Sequence, residues 1–172
     1  MHILMCNDDG ILADGLRHLA SYLSQYYRIT VVAPANEQSA KSHALTTEVP
    51  LKLDACNGED ENPRLYALTG TPSDCMKFGL SYLLTDDMPD LVISGINHGF
   101  NLGSDVLYSG TVSAAMESGF YGIPGLALSV ERYSVERGDE MHPFIHELIE
   151  KIYVAGQFSG LLNVNFPLRG TC

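Results

Sequence analysis

The chain has 172 residues, 45% hydrophobic and 18% charged, which is enough for one compact domain with a sizeable core and too short for a second full domain. Its formal net charge of -11 at pH 7 repels polyanions and argues against a nucleic-acid polymer or an acidic membrane as partner. A small phosphorylated substrate stays admissible, because a divalent cation and backbone N–H groups can supply local positive potential. No apolar run is long enough to span a bilayer, and the N-terminus lacks the basic segment and long apolar core of a signal peptide, so the expected location is the cytoplasm. Cys6, Cys56, Cys75 and Cys172 are scattered without a Cys-x-x-Cys pair, so neither a thiolate zinc site nor a disulfide framework is indicated, and reduced thiols are expected.

The apolar run His2 to Cys6 reads as a strand and stops abruptly at Asn7-Asp8-Asp9-Gly10. In an open α/β sheet, ligands gather just outside the carboxyl ends of the parallel strands, and the first strand usually lies near the centre. Adjacent carboxylates there repel each other unless a cation or proton lies between them. A divalent metal is the economical explanation, and hard oxygen donors suit Mg2+ or Mn2+ better than zinc. All four residues are also turn formers, so this stretch alone leaves both readings open.

Gly15 to Tyr26 places Leu16, Leu19, Ala20 and Leu23 on one face and predicts an amphipathic helix. Ile29 to Ala33, ended by Pro34, reads as a buried parallel strand, completing a right-handed βαβ unit. The segment Ala35 to Thr47 is rich in small and hydroxyl residues and forms a second loop over the same crevice, where Ser39, Ser42 and His43 can offer ligands or hydrogen bonds. For any one of them a solvated loop with local backbone bonds is the blander alternative. Strands are expected at Val49 to Leu53 and Leu65 to Leu68, around an acidic turn from Cys56 to Pro63. Thr71 as N-cap, Pro72 at the first helical position and Asp74 in the first turn start a helix running to about Leu84.

Leu91 to Ser94 is the clearest central strand. The loop from Gly95 is rich in glycine and asparagine, which frees the backbone for close approach to a ligand, and Asn97 can offer a neutral amide oxygen to a metal. Ser109-Gly110-Thr111 then opens a helix over Val112 to Ser118, whose first-turn N–H groups and dipole make an anion site. Gly125 to Val130 reads as a further strand, Glu131 to Glu140 as a charged loop, and Leu161 to Phe166 as a final strand. Pro143 to Ala155 reads as a covering helix with Phe144, Leu148, Ile149 and Ile152 inward, leaving His142 and His146 on a partly exposed surface.

Taken together, Asn7-Asp8-Asp9-Gly10, Ser39-Ala40-Lys41-Ser42-His43-Ala44-Leu45-Thr46, Ser94-Gly95-Ile96-Asn97-His98-Gly99 and Tyr108-Ser109-Gly110-Thr111-Val112 resemble, in order along nearly the whole chain, the SurE family of survival proteins. The resemblance implies a Rossmann-like three-layer α/β sandwich with a mostly parallel sheet, forming a single domain over residues 1–172. It implies a metal-dependent nucleoside monophosphate phosphatase active on 5′- and 3′-monophosphates, with short polyphosphate as a further substrate and a role in stress survival. By position, Asp8, Asp9, Ser39 and Asn97 are implied to hold one Mg2+ or Mn2+, with Asp8, Asp9 and Asn97 carrying the catalysis. Asn7, Asn101, Ser109, Gly110 and Thr111 would line the phosphate pocket, and His43 or His98 would face the substrate. Family members continue past Asn163-Val164-Asn165-Phe166-Pro167 into a segment that builds homodimers or homotetramers. Here the chain stops at Cys172, so that segment is expected to be missing.

The mechanism expected is hydrolysis of a phosphate monoester by a metal-activated water. An aspartyl-phosphate route would call for a second Asp two residues after the nucleophile, and that position is Gly10. A receiver domain would need a phosphoacceptor Asp at the end of a central strand, where this chain has Ser94 and Gly95. A non-catalytic nucleotide sensor on the same scaffold is the remaining alternative.

Overall fold

The structure, a computed structural model, describes residues 1–58, 60–156 and 158–167; Cys172 lies outside the described residues. Seven strands form one sheet: β1 (His2–Cys6), β2 (Arg28–Pro34), β3 (Leu53–Ala55), β4 (Arg64–Leu68), β5 (Leu91–His98), β6 (Gly125–Val130) and β7 (Leu161–Phe166), in the order β3-β4-β2-β1-β5-β6-β7. Every pair is parallel except the edge pair β3–β4. The chain winds outward from β1 through β2 to the β3 edge, then crosses back to β5 on the other side of β1. The order in which strands are added therefore reverses between the parallel neighbours β1 and β5, the switch point at which open sheets bind ligands.

Side chains alternate across a strand, and β1 divides its apolar residues accordingly. Ile3 and Met5 join the core beneath α1 (Asp14–Leu23) and α4 (Val135–Ile149), while Leu4 and Cys6 join the core beneath α2 (Pro72–Phe78) and, through Ala114, α3 (Gly110–Glu117). A strand buried on both faces must be apolar throughout, which explains the unbroken run before Asn7. On α1, Leu16, Leu19, Ala20 and Leu23 are fully buried, as their spacing predicts. Each large side chain so buried contributes roughly 1.5–3 kcal/mol of hydrophobic stabilisation.

The structure corrects four details of the sequence reading. The edge strand is Leu53–Ala55, not Val49 to Leu53. The helix from Pro72 gives way at Gly79–Leu83 to a π-helical turn. Strand β5 continues beyond Ser94 to His98, with a register shift between Ser94 and Asn97, because Gly95 at φ +127° lets the backbone bend while pairing resumes. Helix α4 begins at Val135, not Pro143: Ser134 caps it by accepting from Arg137 N–H, and Pro143 is accommodated inside. Its inward face is accordingly Met141, His142, Ile145 and Ile149, with Phe144 exposed. His142 is buried against Tyr22, ring centroids 5.3 Å apart, and His146 stacks on Tyr26 at 4.0 Å. Among the described residues no helix is long and apolar enough to cross a membrane.

Candidate active site

The site is built where β1 runs out. Asn7 is fully buried and folds its side chain over the turn: Oδ1 accepts from Gly10 N–H at 3.1 Å and Nδ2 donates to Gly10 C=O at 3.1 Å. Both ends of its amide are thus spent on shaping the Asn7–Gly10 turn. Gly10 has φ +100°, and a Cβ there would stand 3.3 Å from Pro34 O, so the turn packs directly on the end of β2. The carboxylates of Asp8 and Asp9 are held in this fixed loop at the switch point.

Asp8 is 6% exposed and is met by the start of α3. Thr111 Oγ1 donates to Asp8 Oδ1 at 2.5 Å, and the Thr111 backbone N–H donates to the same carboxylate. Ser109 caps the helix by accepting from Val112 N–H. A Cβ on Gly110 would stand 3.0 Å from Asp8 Cβ, so the glycine is what lets helix and carboxylate approach so closely. Burial pushes the Asp8 carboxyl above its ordinary value, and the Thr111 hydroxyl opposes that push. Asp9 is only partly buried and accepts a hydrogen bond from His98 N–H. Burial, then the Asp8 and Glu37 carboxylates, raise it to about 6.

Over this pair lies the strap of residues 36–46. Gln38 N–H donates to Asp8 C=O (2.7 Å), Ser42 N–H and Oγ donate to the carbonyls of Tyr108 (3.2 Å) and Leu107 (2.8 Å), and Thr71 Oγ1 donates to Ala44 C=O (2.7 Å). Thr46 is bound through N–H and Oγ1 to the Asp74 carboxylate, which also completes the capping box of α2. Ala40 and Ser42 have φ +57° and +52°, left-handed conformations that non-glycine residues adopt only where the surroundings impose them.

The structure thus brings Asp8, Asp9, Gly110, Thr111 and the His98 backbone together. Ser39 lies exposed on the strap and donates to Glu37 Oε1 at 2.6 Å. Asn97, next to last in β5, donates Nδ2 to Gly99 C=O (2.8 Å), and among the described residues its amide oxygen has no hydrogen-bond partner. Asn101 donates Nδ2 to Ser129 Oγ (2.7 Å), and its backbone is bonded by the Asn163 and Asn165 side chains. His43 Nε2 pairs with the buried carboxylate of Glu117 at 2.6 Å. Sequence reasoning missed Glu37, a third carboxylate acting on the pair, and the second task of Asp74 as the strap's anchor. The Thr71-Pro72-Ser73-Asp74 cap was legible, but nothing in the sequence tells which distant backbone a capping carboxylate also binds.

A divalent cation fits this donor set. Two neighbouring carboxylates, one of them nearly buried, have no Lys or Arg paired to them among the described residues. Among the described residues no group of three or more His, Cys, Asp and Glu gathers as a metal site, so a cation at Asp8 and Asp9 would have to draw its other donors from neutral oxygens.

Comparison with known proteins agrees with this architecture. The family profile described as Survival protein SurE matches residues 3–171. A protein named 5′-nucleotidase SurE from Thermoanaerobacter sp. (strain X514) is 49% identical over 97% of this chain and 66% of its own length. A protein of the same name from Synechococcus elongatus is 44% identical over 97% of this chain and 65% of its own. A crystal structure of the SurE protein from Aquifex aeolicus superposes with a TM-score of 0.83 at 37% identity, over 97% of this chain and 66% of that one. The chain therefore spans about two thirds of the length of the curated relatives it matches. With its switch-point carboxylates, strap and profile match in agreement, the chain belongs to the survival protein SurE family.

Proposed function

We propose that this chain is a cytoplasmic phosphomonoesterase that releases phosphate from nucleoside 5′-monophosphates with the help of one Mg2+ or Mn2+. The observation that carries the reading is the Asp8–Asp9 pair at the switch point, fixed by Thr111 and the His98 backbone and with no Lys or Arg paired to it among the described residues. The relatives named 5′-nucleotidase SurE support a nucleotide as the substrate class.

Asp8, Asp9, Ser39 and Asn97 would hold the cation, which when bound supplies positive charge to the phosphate and acidity to a water. The chain's own contribution is preorganisation. The Thr111 hydroxyl bonds the Asp8 carboxylate and opposes the upward push of burial, so the carboxylate is already oriented as charge develops. The positive end of the α3 dipole favours the dianionic ester over neutral ligands. The strap, pinned by Gln38 near one end, by Ser42 in its middle and by Thr46 at the other end, carries Ser39. Nucleoside 3′-monophosphates and short polyphosphate are the substrates to compare with 5′-monophosphates, and a homodimer or homotetramer is the assembly the family resemblance implies.

Phosphate release from adenosine and guanosine 5′-monophosphates, measured with Mg2+, with Mn2+ and with EDTA, tests the proposal. Cation-dependent turnover is expected. Equal release in EDTA, or none from a folded chain that binds the cation, would overturn it.

A further inference from the structure

Beside the carboxylate pair, away from the strap, a cleft of about 200 Å³ opens between the start of α1 and the end of β5, lined by Asp9, Asp14, Gly15, Ile96, His98 and Tyr133. It shares Asp9 and His98 with the candidate active site. Its volume falls below the roughly 300–1,000 Å³ of a site that takes a whole small molecule, so it suits part of a ligand whose remainder lies elsewhere. Among its lining residues there is no Lys or Arg, while two carboxylates face it, a composition that repels a second phosphate and accepts hydrogen-bond-donating hydroxyl groups.

Tyr133 forms the wall of this cleft and is fixed from behind. His18 Nδ1 lies 3.1 Å from Tyr133 Oη, and the rings are 6.3 Å apart. A Cβ on Gly138 would stand 2.6 Å from Tyr133 Oη and 3.2 Å from His142 Nε2, so α4 presses a glycine against the phenol. His142 Nε2 is itself buried without a hydrogen-bond partner. The ring is thus held by α1 and α4 together, a rigid and amphipathic contact surface. On the opposite side, Gly15 lets the start of α1 pack directly on β5: a Cβ there would stand 2.9 Å from Ile96 O. Burial, then the fields of Asp14 and Asp139, push the Tyr133 phenol up to about 12, so it stays neutral.

We infer that this cleft is the sugar subsite for the proposed nucleotidase activity, with the exposed Asp14 carboxylate accepting from a ribose hydroxyl and the Tyr133 ring packing against the sugar face. The inference rests on the phosphomonoesterase reading and deepens it. Asp14 and Tyr133 are positioning residues for the nucleoside: they set which phosphate esters are used.

The experiment compares adenosine 5′-monophosphate, its 2′,3′-dideoxy analogue and phenyl phosphate as substrates for the unmodified chain, Asp14→Ala and Tyr133→Leu, alongside calorimetric binding of adenosine in EDTA. Loss of a hydrogen bond to a charged acceptor in Asp14→Ala, and of the ring's packing in Tyr133→Leu, is expected to lower the kcat/KM ratio of adenosine monophosphate over phenyl phosphate about tenfold in each variant. In Asp14→Ala the preference for the ribo over the dideoxy substrate should vanish, a coupling that a structural defect would not produce. Adenosine binding should weaken in both variants. Phenyl phosphate turnover with unchanged substrate ratios would refute the subsite and leave the phosphatase reading standing. Absence of turnover on every ester would refute the phosphatase reading, and adenosine binding insensitive to both substitutions would then refute the subsite as well.

Discussion

Asp9→Asn without metal is the perturbation that reads the electrostatics of the site most directly. Asp9 is raised from 3.8 to about 6, first by burial and then by Asp8 and Glu37, so in the folded chain its ionised form is disfavoured. The folded state therefore binds the proton more tightly than the unfolded state. Stability falls as pH rises from about 4 through about 6, and the full cost is present above that window. The displacement corresponds to about 3 kcal/mol, and the carboxyl's remaining contact with water reduces that to roughly 1.5 kcal/mol. Asparagine removes the charge, keeps the size and still accepts from His98 N–H. In EDTA at pH 8, Asp9→Asn is expected to raise Tm by roughly 3–6 °C for a chain of this length, and by about half as much near pH 5. Added Mg2+ or Mn2+ should raise the Tm of the unmodified chain and leave the variant nearly unmoved. Differential scanning fluorimetry at the two pH values reads all three effects. A variant less stable than its parent at pH 8, or one stabilised equally by the cation, would refute the reasoning.

Other expectations follow from single contacts. Thr111→Val removes the hydroxyl held by Asp8 and is expected to weaken cation binding and phosphate release about 10–100-fold with the fold intact, checked by calorimetry and turnover. Gly95→Ala places a Cβ 2.3 Å from Leu128 O at φ +127°, and a loss of at least about 3 kcal/mol in chemical denaturation is expected; parental stability would contradict the described bend in β5. Thr71→Ala loses both the α2 cap and the bond to Ala44, with an expected cost of about 1–2 kcal/mol and faster proteolysis within residues 36–46. Gly138→Ala should displace Tyr133 and lower the adenosine monophosphate to phenyl phosphate ratio as Tyr133→Leu does.

The parallel core was legible because its strands are buried on both faces and read as unbroken apolar runs, as in Ile29 to Ala33 and Leu91 to Ser94. The α1 face and the Thr71 cap were legible from spacing and residue type alone. Strand β3 was misplaced because an edge strand half exposed to solvent carries little periodic signal. The early start of α4 was hidden because its first turns are charged and its Pro143 mimics an N-terminal signal. In the site, Asp8, Asp9 and Thr111 were visible as chemistry at strand and helix ends. Their partners were less so: Glu37 acts across a loop, and Tyr133 reaches its cleft only because α1 and α4 meet beside β5, a juxtaposition that local pattern does not encode.

The most direct test of the central claim is phosphate release from adenosine 5′-monophosphate by the unmodified chain and Asp8→Asn, each with saturating Mn2+ and with EDTA. Turnover by the unmodified chain with Mn2+ alone, lost at least about 100-fold in a folded Asp8→Asn, is the predicted result. Comparable turnover by Asp8→Asn, or by the unmodified chain in EDTA, would contradict the account.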